Sequence, residues 1–183
     1  MKLSRRDMLS TAVAAAGAAT GGLPALSLAQ EPPGAVPVGE ARAPALPKPG
    51  TSLFLRAVKL LDGSTFNPHR ADGKVLVVYW WASWCPFCAV QSPHIEALWR
   101  KNRDRGLEVL ALSIDRRRED ALTYIQKKGY TFPAAMLTAE VATMLPKPSG
   151  LLVTVVRGRN GKVVFAEGGE MFPEDIEGLA KYL

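Results

Sequence analysis

Val75-Leu76-Val77-Val78-Tyr79-Trp80-Trp81-Ala82-Ser83-Trp84-Cys85-Pro86-Phe87-Cys88 runs from an unbroken apolar stretch into a pair of cysteines. The apolar stretch follows Gly73-Lys74 and has the length and β-branched content of a strand buried on both faces. From Phe87 to about Arg103 the period changes. Cys88, Ile95, Leu98 and Trp99 recur at helical spacing, with Glu96, Arg100 and Lys101 left for water. The two cysteines therefore fall where a strand hands over to a helix. A helix start offers unpaired amide donors and the positive end of the macrodipole, and both favour a thiolate. Cys85 is expected at the exposed lip as the nucleophile, and Cys88, one turn inside, as the buried resolving thiol. Their spacing puts both sulfurs on one helix face, within disulfide reach. Attack by Cys85 on a disulfide would give a mixed disulfide, which Cys88 would resolve.

Outward from this junction, strands and helices alternate. Leu53 to Leu60 reads as a strand, Asp62-Gly63 as a hairpin turn and Thr65-Phe66 as the return. Gly106 ends the helical stretch, and Leu107 to Ile114 reads as another buried strand. Arg118 to Lys128 reads as a helix closed by Gly129. Leu151 to Arg157 and Lys162 to Ala166 form strands joined through Asn160-Gly161, and Pro173-Glu174-Asp175 opens a final helix. Pro93, inside the cysteine-bearing helix, is expected to kink it. The pattern predicts an α/β sandwich, a central mixed sheet flanked by helices, with an N-terminal β-hairpin.

The amino terminus reads as an address. Lys2, Arg5 and Arg6 precede the apolar Met8 to Ala19, and Ser27-Leu28-Ala29 offers a cleavage site, so residues 1–29 read as an export signal. Ser4-Arg5-Arg6-Asp7-Met8-Leu9 fits the twin-arginine type, with an ordinary secretory signal or an uncleaved membrane anchor as the alternatives. Residues 30–50, rich in proline, read as an extended linker, and residues 51–183 as the folded domain. The chain carries a formal charge of +6, part of it in the signal. That balance is too weak to argue for nucleic acid, and no interleaved basic and aromatic residues support it. The domain is expected to be periplasmic and monomeric.

The stretch Trp81-Ala82-Ser83-Trp84-Cys85-Pro86-Phe87-Cys88 resembles the W-A-x-W-C-x-x-C signature of the thioredoxin superfamily. The Asp62-Gly63 turn, Gly73-Lys74, Pro93 and Phe132-Pro133 are similar to its TlpA/ResA-like branch of exported thiol–disulfide oxidoreductases. The resemblance spans residues 51–183 and implies a thioredoxin-like fold. It also implies a reductase that draws electrons from a membrane thiol donor and acts on disulfide-bearing exported proteins. Three positions depart from the pattern. Tyr79 stands where thioredoxins carry a buried acid, and Gln91 where many exported reductases carry Glu, so both substitutions remove a base near Cys88. Leu152 falls where the superfamily has a cis-proline. It is expected to be trans, because a non-proline cis bond costs about 2.5–4 kcal/mol. Pro148 is the alternative source of that bend.

Trp84, Pro86, Phe87, Leu151 and Leu152 are the expected substrate-binding residues, with one of Trp80 and Trp81 in the core. The dithiol needs no cofactor. Stabilising the Cys85 thiolate makes the disulfide more oxidising, so an oxidase or isomerase is the close alternative to a reductase. An inert disulfide pinning the helix start is a weaker reading, because so short a loop gains little from closure. A copper-handling module using Cys85, Cys88 and His94 is the alternative from another class. His69 and His94 lack the spacing of a zinc site. His69, His94 and the Arg116-Arg117-Arg118 run are expected in solvent, and Met136 and Met144 as core filler.

Overall fold

A computed structural model describes residues 43–183. The export signal and most of the proline-rich linker lie outside the described residues. Residues 43–50 have no regular secondary structure but touch the domain: Ser149 N–H donates to the Pro44 carbonyl at 3.2 Å and Gly50 N–H to that of Val163 at 2.8 Å.

Strand β3 (Val75–Trp81) is the centre of a five-stranded mixed sheet and is buried along its whole length. It pairs in parallel with β4 (Leu107–Ser113), which pairs in parallel with β5 (Ala134–Met136). On its other side β3 pairs antiparallel with β6 (Val153–Arg157), and β6 pairs antiparallel with β7 (Val163–Gly168). Helix α1 (Pro86–Asn102) crosses from β3 to β4, and α2 (Arg118–Lys128) from β4 to β5. Both crossings step the same way across parallel strands, so the right-handed rule puts both helices on one face. Ile95, Leu98 and Trp99 of α1 and Ala121 of α2 accordingly pack with Val75, Val77, Tyr79 and Trp81. Ile176 of α4 (Pro173–Gly178) joins them. The alternate residues of β3, Leu76, Val78 and Trp80, pack on the opposite face against a hairpin and α3 (Ala139–Met144). That hairpin is β1 (Val58–Lys59) with β2 (Thr65–Phe66), and Gly63 in its turn has a φ of 89° that favours glycine.

The structure changes four expectations. The proposed strand from Leu53 to Leu60 is ordered as a strand only at Val58–Lys59. The side chains before it do alternate, with Leu53 and Leu55 turned inward and Phe54 and Arg56 outward. Their backbone is used differently: Leu53 N–H donates to the Gly161 carbonyl at 3.0 Å, so the segment clips the β6–β7 turn. Elements β5 and α3 were not expected. Strand β5 is three residues long, too short for a period, and α3 is announced only by Thr138, whose hydroxyl accepts the Val141 N–H. Trp80 and Trp81 are both core residues, because a strand buried on both faces leaves neither side for solvent. Among the described residues no helix is long and apolar enough to cross a membrane.

The middle of α1 is tied down by a charge. The Glu96 carboxylate accepts from Thr131 N–H at 2.8 Å, Thr131 Oγ1–H at 2.6 Å and Phe132 N–H at 3.2 Å, and pairs with Arg100. Burial pushes the Glu96 carboxyl up, but the hydrogen bonds from Thr131, Arg100 and Phe132 outweigh it and hold the group below its ordinary 4.5. A depressed folded-state value means that the stabilisation is complete above the ordinary value and is lost as pH falls through the folded one. Glu96→Gln is expected to cost about 1.5 kcal/mol at neutral pH, the order of one charge-assisted bond. In thermal melts across pH, the gap between wild type and variant should close as the carboxylate protonates.

Candidate active site

The loop between β3 and α1 is set from below by a buried acid. Asp115, just past β4, accepts from Ser83 N–H at 3.1 Å, Ser83 Oγ–H at 2.7 Å and Ser113 Oγ–H at 2.6 Å. These bonds fix the backbone one residue before Trp84. Cys85 N–H then donates to the Ala82 carbonyl at 3.2 Å, closing a turn, and α1 begins at Pro86. Proline suits that first position, where its missing N–H leaves nothing unpaired.

Cys85 is the N-cap of α1, and its Sγ accepts the Cys88 N–H at 3.1 Å. This geometry revises the exposed-lip expectation. Cys85 is only 1% exposed, because capping folds its side chain back onto the helix. Its neighbours project instead: Trp84 is 61% and Phe87 55% exposed, and Pro86 is exposed too. Cys88 is fully buried, and both cysteines are free thiols. Burial, reinforced by the hydrogen bond with Cys85, pushes the Cys88 thiol up to about 12.

The three departures from the family pattern meet here. The Tyr79 hydroxyl is buried and lies 3.0 Å from Ser92 Oγ on α1. Gln91 is buried as well. Its Nε2–H donates to Thr154 Oγ1 on β6 at 3.2 Å, and its Oε1 accepts the Met171 N–H at 2.9 Å. Both ends of the amide are engaged in holding α1 to β6 and to the segment before α4. Leu152 precedes β6 and shares the apolar cluster of Cys85 and Cys88. Among the described residues no peptide bond is cis, at Leu152 or at Pro148. Leu152 is only 3% exposed, so of the two leucines expected to meet substrate, Leu151 alone is partly open. The exposed apolar surface continues instead at Val90, one helical turn beyond Phe87, which a search for motif neighbours passes over.

His94 is half-buried on α1, in a groove with Pro173 and Glu174. Among the described residues no three His, Cys, Asp or Glu side chains come together, so His94 does not complete a ligand set with the cysteines. His69 pairs with Asp72 at the surface. Arg116 and Arg117 are in solvent, whereas Arg118 donates to the Leu61 carbonyl. Met136 and Met144 are partly buried against the core.

A family model described as AhpC/TSA matches residues 52–145, just over half of the chain and the whole of the strand-to-helix junction. The chain belongs to the AhpC/TSA family. The thiol–disulfide oxidoreductase ResA of Bacillus thuringiensis is 27% identical over 125 residues, covering 66% of this chain and 70% of that one. A thiol:disulfide interchange protein of Chlorobium tepidum superposes with a TM-score of 0.68 at 21% identity, over 74% of this chain and 96% of that one. A secreted disulfide oxidoreductase of Mycobacterium tuberculosis superposes with a TM-score of 0.61 at 17% identity, over 70% and 96%. The fold is thioredoxin-like, and the class of activity is thiol–disulfide oxidoreduction.

Asp115 carried no motif signal, because its partners Ser83 and Ser113 come from two other positions of the chain. Asp115→Ala strips the acceptor from the Ser83 amide and is expected to cost about 1–3 kcal/mol, while Asp115→Asn, which keeps an acceptor oxygen, should cost less. Urea unfolding midpoints of the two variants check this order.

Proposed function

We propose that this chain is a monomeric periplasmic disulfide reductase, with Cys85 as its nucleophile, Cys88 as its resolving thiol and no cofactor beyond that pair. The observation that carries the reading is the inequality of two adjacent sulfurs. Cys85 Sγ receives an amide hydrogen bond at the start of α1, while Cys88 is buried and held as a thiol. Cys85 attacks a substrate disulfide and displaces one substrate thiolate, leaving a mixed disulfide. Cys88 attacks Cys85 Sγ, the second substrate thiol departs with the proton, and Cys85 and Cys88 are left oxidised. A membrane thiol donor returns the electrons.

The reductase direction is supported by the scarcity of thiolate stabilisation. Strong oxidants hold their reduced form by stabilising it. Here one amide supports Cys85, and Pro86 and Phe87 bring no charge. The exposed Trp84, Phe87 and Val90, with Pro86 and Leu151, suit apolar segments around an exported protein's disulfide. Lys2, Arg5 and Arg6 ahead of the apolar Met8 to Ala19 support export by the twin-arginine route.

Insulin reduction with a thiol donor tests the reading. Cys85→Ser should abolish turnover, and Cys88→Ser should stall as a mixed disulfide visible by mass. The reduction potential should lie near thioredoxin's, about −270 mV, and a value near the strong oxidants' −120 mV or so would sink the direction.

A further inference from the structure

We propose that Tyr79 is a positioning residue for the resolving step, its hydroxyl and that of Ser92 forming a relay that holds Cys88 first as a thiol and then as a thiolate. The inference rests on the dithiol reading above. Cys88 must release a proton in a site closed to solvent, and neither residue 79 nor residue 91 supplies a carboxylate. The buried acids among the described residues are committed elsewhere: Asp115 to Ser83 and Ser113, Glu96 to Thr131, Phe132 and Arg100, and Glu108 to Arg70 and Lys74. What the site does hold is a pair of buried hydroxyls. Tyr79, on β3, lies 3.0 Å from Ser92, which stands one turn beyond Cys88 on α1, and Tyr79 shares the buried cluster of Cys88.

A hydroxyl both donates and accepts, so this chain can run in either sense. With Cys88 protonated, the thiol donates to Tyr79 Oη and Tyr79 donates to Ser92 Oγ. With Cys88 ionised, both bonds reverse: Ser92 donates to Tyr79, and Tyr79 donates to the sulfur. Either hydroxyl of the 3.0 Å pair can be the donor. Burial, with the nearby Cys88, holds the Tyr79 phenol well above its ordinary value, so Tyr79 stays a neutral donor and does not act as a base. The other titratable groups facing Cys88 are Cys85, from the helix start, and Tyr124, from α2. The proton itself leaves with the departing substrate thiol. Cys88–SH and the Cys85–substrate disulfide become the Cys85–Cys88 disulfide and a substrate thiol, so atoms and electrons balance.

Ellman's reagent separates the two steps, because each attack releases one equivalent of coloured thiolate, the proton passing to buffer. Wild-type protein should release two equivalents in two phases, and Cys88→Ser one. Tyr79→Phe keeps the ring and removes the hydroxyl. It should leave the first phase unchanged, slow the second about tenfold at pH 7, and raise the pH midpoint of the second phase by about one unit. Ser92→Ala should move the same midpoint in the same direction by less, and it decides the matter if Tyr79→Phe does not fold. A second phase within twofold of wild type and an unmoved midpoint would overturn the relay alone. Release of one equivalent by wild type would overturn the dithiol reading and the relay with it.

Discussion

The hydrogen bond from the Cys88 amide to Cys85 Sγ is the point where fold and chemistry coincide. Any helix must satisfy its first amides, and the usual device is a short side-chain oxygen at the N-cap reaching the third residue of the first turn. Here the cap is a sulfur, and the third residue is the second cysteine. The capping geometry therefore sets the distance between the thiols. Pro86 removes one amide from competition, and Phe87, between the cysteines, is free to point outward. The same constraint explains why Cys85 is buried rather than projecting: a capping side chain must fold back over its helix.

Everything beneath this cap keeps α1 where β3 delivers it. Strand β3 is hydrogen-bonded on both edges, so its C-terminal end is a rigid platform. Asp115 fixes the loop, Gln91 fastens the second turn of α1 to Thr154 and Met171, and Glu96 fastens the third to the segment leading into β5. These ties differ in kind with distance from the cysteines. Within about one turn of Cys88 on α1, and across from it on β3, the buried polar side chains Gln91, Ser92 and Tyr79 are neutral, while the charged ties lie at Asp115 and Glu96. A neutral surround leaves the protonation of Cys88 to burial and hydrogen bonding.

The core of this arrangement was legible in the sequence. Unbroken apolar runs sufficed for β3 and β4, helical spacing for α1 and the closing Gly129 for α2, and the Asp62-Gly63 and Asn160-Gly161 turns marked both hairpins. Short elements escaped. Strand β5 is recognisable only by its partner Ala111–Ser113, and the Leu53–Lys59 stretch has a strand's side-chain alternation but not its ladder. The thiol pair was legible because its spacing is local. Asp115 and the Tyr79–Ser92 contact were not, because each joins residues from separate elements, and only the fold specifies which hydroxyl faces which.

That long-range placement bears on what Tyr79 can do that a buried acid at its position cannot. A buried carboxylate near Cys88 stays charged until it takes the thiol's proton, and while charged it disfavours the thiolate. A phenol held neutral by burial carries none, so it favours the charged sulfur by donation alone. It needs a second group to accept its proton bond when the sulfur is neutral, and Ser92 lies one helical turn beyond Cys88, on the same side of α1. The substitution at residue 79 thus makes physical sense only with a hydroxyl at residue 92. The two positions act as one unit, joined across the interface between the central strand and the helix that carries the thiols.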